Sequence, residues 1–155
     1  MFLKLDLEKN PTNTSQEKGI NWRARRVFTK DEILYQMNEY KYKIRNYMQQ
    51  HQLTAPAFSG PVVMIQYFTF ESPRKKLWGT PKDTKPDNDN ISKLLSDCLE
   101  DLGFFEVGDQ QVTHSLVIKT WGPKPSVEIF IEELENAEGV SEALGKVLIQ
   151  GGGGL

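Results

Sequence analysis

The chain has 155 residues, 38% hydrophobic and 26% charged, a balance that excludes a disordered or fibrous segment and fits one ordinary globular domain. The single Cys98 cannot form an intrachain disulfide, so a reducing, cytoplasmic setting is expected, and no run approaches eighteen uncharged apolar residues, which argues against membrane spanning. A formal charge of −2 looks wrong for a polyanion binder, but residues 1–60 carry net +4, residues 61–124 net −1 and residues 125–155 net −5. The acidic end hides a basic body. Arg23, Arg25, Arg26, Arg74, Lys75, Lys76, Lys82 and Lys85 are therefore candidates for a phosphate-binding surface, against the alternative of an ordinary solvated one.

In chain order, residues 2–7 alternate as a short strand, and Asn10 to Asn21 has a loop composition. Thr29 and Glu32 form a capping-box pattern. Ile33, Met37, Tyr40, Ile44, Tyr47 and Met48 then recur on one face, predicting a helix from about Lys30 to Gln50 whose aromatic stripe is core packing. Val62 to Phe70 is dense in β-branched and aromatic residues and reads as a buried strand. Ser72 to Pro86 holds prolines and five basic residues, as a connection does. From Asn90, the residues Ile91, Leu94, Leu95, Cys98, Leu99 and Leu102 predict a second helix that ends at Gly103 and buries an inert thiol. Gln111 to Trp121 and Ser126 to Ile131 read as strands joined at Gly122-Pro123, the pattern of a β-hairpin. The acidic end from Glu132 adds at most a short helix over Val140 to Ile149, followed by a mobile Gly151 to Gly154. The order implies a single α+β domain, helices packed on a mixed sheet, over residues 1–131, with an acidic extension over 132–155.

The densest chemical signal is Lys85-Pro86-Asp87-Asn88-Asp89-Asn90, followed by Lys93 on the helix and by Asp109 before the next strand. Asp87 and Asp89 share a side if the backbone is extended, and a helix out and a strand back can bring Asp109 beside them. Hard carboxylate oxygens suit Mg²⁺ or Mn²⁺, and such an ion can polarise a phosphodiester and orient water. Lys93 either offsets phosphate charge or pairs with Asp97 four residues on. The competing structural reading makes Asp87 and Asp89 turn and capping residues, with Asn90 or Asp89 as the helix cap. A calcium loop fails because Ile91 and Ser92 stand where a ligand and a glycine are needed. His51 and His114 lack a zinc pattern, and Gly151 to Gly154 lacks the context of a phosphate-binding loop.

The ordered pattern Lys85-Pro86-Asp87-Asn88-Asp89-Asn90-Ile91-x-Lys93-x-x-x-Asp97-x-Leu99, then Asp109-x-Gln111-Val112 and Lys119 before Trp121, resembles the RusA family of Holliday-junction resolvases. The resemblance covers roughly residues 20 to 131. It implies a RusA-like fold and a homodimer that makes paired nicks in four-way DNA junctions with Mg²⁺ or Mn²⁺. It also implies that Asp87, Asp89 and Asp109 are catalytic acids and metal ligands, that Lys93 is the catalytic lysine, and that Lys119 joins the DNA-binding set. Arg23-Ala24-Arg25-Arg26 and Phe28-Thr29 are similar to the entry of phage-type members, implying a phage or prophage enzyme at work in the bacterial cytoplasm. One departure is Gly108, where the family carries the first of two adjacent aspartates. The rival expectations are a junction-binding protein without hydrolysis and a structural or interaction protein of the same fold.

Overall fold

The structure, a computed structural model, describes residues 1–12, 18–135 and 139–150. A four-stranded sheet, in the order β1 (Phe2–Asp6), β6 (Ser126–Glu133), β4 (Val62–Glu71), β5 (Val112–Gly122), carries two long helices, α1 (Asp31–Gln50) and α2 (Asn88–Asp101). A separate hairpin, β2 (Lys18–Asn21) with β3 (Arg26–Thr29), precedes α1, and α3 (Gly139–Gln150) follows the sheet. The α+β class read from the sequence is the class observed.

Strand β4 organises the sheet because seven of its ten residues are apolar and they point to both of its faces, so both faces have to be covered. Val62, Met64, Phe68 and Phe70 face the helices with Leu3, Leu5, Val127, Ile129 and Ile131. Val63 and Ile65 face the other way and pack with Phe130 and Leu134. This demand overturns the expected β5–β6 hairpin. β4 lies between the two, parallel to β5 and antiparallel to β6, and residues 123–125 cross over its end, where Leu7 N–H donates to the Pro125 carbonyl at 3.0 Å. Turn residues specify a reversal; they do not specify that the strands they join are neighbours.

Ile33, Tyr40, Ile44 and Met48 form the buried stripe of α1, and Ile91, Leu94, Leu95, Cys98 and Leu99 form that of α2, as their spacing predicts. Gly103, at φ +80°, ends α2 in the left-handed conformation. The caps differ from the expectation. Helix α1 is capped by Lys30 rather than Thr29 and α2 by Asp87 rather than Asn90 or Asp89, neither through a side-chain hydrogen bond. Asp31, Glu32 and Asp89 instead place negative charge in the first turns, where it favours the exposed N–H groups. The segment expected as a loop up to Asn21 contains β2. No helix among the described residues is long and apolar enough to cross a membrane. Gly151 to Gly154 lie outside the described residues.

Candidate active site

The first turn of α2 and the start of β5 meet in an open cleft of about 550 Å³ whose lining includes Asp89, Ser92, Lys93, Ser96, Asp109 and Ser115. Asp109 reaches it because the return from α2 is tightly built. Phe104 and Phe105 are buried, and Phe58 N–H and Glu106 N–H form a two-bond bridge with the Phe104 and Phe58 carbonyls at 2.9 and 3.0 Å. Gln111, also buried, spans the turn. Its Nε2 donates to the Phe58 and Gly60 carbonyls at 2.7 and 2.9 Å, while its Oε1 accepts from Val107 N–H at 2.8 Å and Gly108 N–H at 3.3 Å. The glutamine of the Asp-x-Gln pattern is thus a brace for the aspartate two residues before it.

Lys93 Nζ lies between two carboxylates, donating to Asp109 Oδ2 at 2.5 Å and to Asp97 Oδ1 at 2.7 Å. Those bonds, to Asp109 first and then Asp97, hold the ammonium above the usual lysine range, against a smaller opposing effect of burial. Glu100 completes the group: Asp97, Glu100 and Asp109 each offer an oxygen within 4.8 Å of the others. This trio contains Asp109 but neither Asp87 nor Asp89. Asp87 occupies the cap position of α2, exposed and 3.2 Å from Lys85 Nζ, and does not line the cleft. Asp89 lines it from the first turn of α2, about two turns before Asp97 and three before Glu100. The expected placement of Asp87 and Asp89 on one side of an extended segment is replaced by a pair straddling the helix boundary. Sequence reasoning took Asp97 only as a partner for Lys93 and passed over Glu100; the signal that would have found the group is the spacing of Lys93, Asp97 and Glu100, at steps of four and three on one helical face.

The basic residues divide into two sets. Arg23, Arg25, Arg74, Lys75, Lys76 and Lys85 are exposed, while Arg26 lies in β3 with its side chain outside those described. Arg23 and Arg25 sit at the tip of the β2–β3 hairpin beside Trp22, which is 83% exposed and which sequence reasoning passed over. Lys82 and Lys119 correct the expectation of a free phosphate-binding surface. Lys82 is 7% exposed, and its Nζ bonds Thr84 Oγ1 and the Lys85 carbonyl. It also lies over the rings of Trp121 and Phe70, at 4.5 and 5.0 Å from their centroids. Burial first, and the charge of Lys119 second, lower its pKa. Half-buried Lys119 donates to the Thr84 and Pro86 carbonyls at 2.8 and 2.7 Å. The predicted burial of Cys98 holds: it is fully covered, burial pushes its thiol up to about 12, and its sulfur contacts the Met37 carbonyl at 3.7 Å.

An α+β domain whose acidic cleft is framed by a helix entrance and a braced strand entrance, with a lysine between carboxylates, has the parts of a phosphoryl-transfer site. Comparison with protein families gives the finer class: the model described as endodeoxyribonuclease RusA matches residues 8–132, and the chain belongs to that family. No curated protein matched the chain.

Proposed function

We propose that the protein is a metal-dependent endodeoxyribonuclease that hydrolyses phosphodiesters at four-way DNA junctions by paired nicking, working as a homodimer. The observation that carries this reading is the convergence of Asp89, Lys93 and Asp109 on one cleft in a chain of the endodeoxyribonuclease RusA family. The donor set fits a hard divalent cation: carboxylates gather within coordinating range around Asp109, and the Lys93 ammonium already sits as a cation between two of them.

In this reading Asp109, with Asp97 and Glu100 in coordinating range of it and Asp89 on the same cleft, would hold Mg²⁺ or Mn²⁺, while Asp87, at the helix cap outside the cleft, would supply further negative charge at the helix entrance. Bound metal supplies Lewis-acid polarisation of the phosphodiester and an acidified water. Lys93 remains protonated at neutral pH and would offset charge on the phosphate oxygens. Arg23, Arg25, Arg74, Lys75, Lys76 and Lys85 contact the backbone of the arms without reading bases. A two-fold dimer places one cleft on each of two opposed strands, which matches paired nicks in a symmetric junction.

The test is incision of a labelled four-way junction and of a linear duplex of the same sequence, with Mg²⁺, Mn²⁺ or chelator. Symmetric, metal-dependent nicks confined to the junction support the reading. Tight, salt-dependent junction binding with no incision in either metal replaces it with an architectural role, and absence of both replaces it with a structural one.

A further inference from the structure

Two cations that sequence reasoning assigned to the DNA surface bond the protein's own backbone, Lys82 buried and Lys119 half-buried, and what they hold is the approach to the candidate site. Residues 79–82 run along the outer edge of β5. Gly79 N–H donates to the Trp121 carbonyl at 2.8 Å, Trp121 N–H to the Thr80 carbonyl at 3.0 Å, and Lys82 N–H to the Lys119 carbonyl at 2.9 Å. That register makes Lys82 and Lys119 direct neighbours. Like charges at this distance repel, and the pair persists because each ammonium has backbone oxygens to bond. The carbonyls of Thr84, Lys85 and Pro86, three in succession, all accept from one of these two lysines. The next residue is Asp87, whose carbonyl accepts the Ile91 N–H of α2 at 3.2 Å. On its far side the Lys82 ammonium is closed off by Trp121 and Phe70, themselves packed edge to face with centroids 6.3 Å apart.

We propose that Lys82 and Lys119 are positioning residues, a two-lysine clamp on the carbonyls of residues 84–86 that fixes the entrance of α2 and so the placing of Asp87 and Asp89. They act through the backbone and make no phosphate contact. Ammonium-to-carbonyl bonds are charge-assisted, and an ammonium with three donors can bond more than one carbonyl at once, as Lys119 does with Thr84 and Pro86. The consequence for catalysis rests on the nuclease reading above; the clamp itself does not.

The test uses Lys119→Met, with Lys119→Arg and Lys82→Met beside it. Junction binding is measured in chelator over a salt series, single-turnover incision is measured with Mg²⁺, and amide exchange is followed at Ile91 with the β4–β6 amides as reference. Lys119→Met is expected to keep the wild-type salt slope, where loss of a phosphate contact lowers it by about 0.9. It is also expected to bind junctions within about twofold of wild type and to incise them at least about tenfold more slowly at saturating DNA, as loss of an interaction felt only in the reacting complex does. Ile91 exchange should rise about tenfold or more while the β4–β6 amides stay as they were. Lys119→Arg, which keeps the charge and the donors, should recover most of the rate. A slope lowered by about one with an unchanged saturating rate overturns the proposal in favour of a phosphate contact. Unchanged Ile91 exchange in both methionine variants also overturns it, and that result can be read even if the wild type incises nothing, so failure of the clamp and failure of the nuclease reading are told apart.

Discussion

Gly108 stands where the resemblance described above implies the first of two adjacent aspartates, and its backbone makes any β-carbon costly there. It has φ +139° and ψ −178°, a region open essentially to glycine alone. A β-carbon there would come 2.6 Å from Gln110 Oε1 and 3.0 Å from Glu100 Oε1, the ends of flexible side chains that can swing away. The backbone has no such freedom. Gly108 N–H is held by Gln111 Oε1, and its carbonyl accepts Gln111 N–H at 3.1 Å. Gly108→Ala therefore isolates the conformational cost, about 1–3 kcal/mol for a residue forced into such a region. At about 2–4 °C of melting temperature per kcal/mol for a chain of this size, the fall should be about 2–12 °C. Gly108→Asp carries the same cost and adds a carboxylate beside Glu100 and Asp109, so it should melt at or below the alanine variant and gain no activity. Thermal melting followed by circular dichroism, checked by urea titration, measures both. An alanine variant that melts within about 1 °C of wild type would refute the reasoning, because no β-carbon at that φ is free of strain.

Three further outcomes follow from the same geometry. Gln111→Leu removes the brace and leaves the buried Gly108 N–H without its side-chain partner, so urea unfolding should show a loss of about 1–3 kcal/mol; no measurable loss contradicts it. The stabilising contribution of Lys93, read as wild type minus Lys93→Met, should be level from neutral pH to the ordinary lysine value of 10.5 and shrink only above it. The native pKa is raised, so the unfolded chain loses that proton first; a decline between pH 7 and 9 would show that the ion pairs do not hold the proton. Cys98 should resist a thiol-specific disulfide reagent at pH 8 in the native protein and react once denatured, since its buried thiol titrates only at about 12. Rapid native labelling would place it elsewhere than in the core.

The helices were legible because α1 and α2 each carry one apolar stripe with a period that no other element satisfies. Strand β4 was legible as buried, yet its neighbours were not, since pairing depends on which surfaces are left to cover, and Gly122-Pro123 carries no information about the partner of β5. The cleft was readable in part. Asp89, Lys93 and Asp109 meet there, and the helical spacing of Lys93, Asp97 and Glu100 marks the rest of the acidic group. The lysines misled for a physical reason. Charge type in a sequence does not distinguish a solvated ammonium such as that of Lys85 from one such as Lys82, which lies on an aromatic pair and is satisfied by backbone carbonyls. Likewise, Gly108 reads as a missing aspartate until its φ is known.

Asp109 belongs to both descriptions of the site: the motif that resembles the family, and the carboxylate group that converges in space. The decisive measurement is single-turnover incision of a four-way junction by Asp109→Asn and wild type in Mg²⁺, with junction affinity determined in parallel in chelator. The nuclease reading predicts that the variant binds junctions as tightly as wild type or more tightly, because one repulsive charge is gone, while incision falls by about a hundredfold or more, the scale seen when a group that stabilises transition-state charge is removed. Incision by Asp109→Asn at close to the wild-type rate would contradict it and remove this cleft from the chemistry.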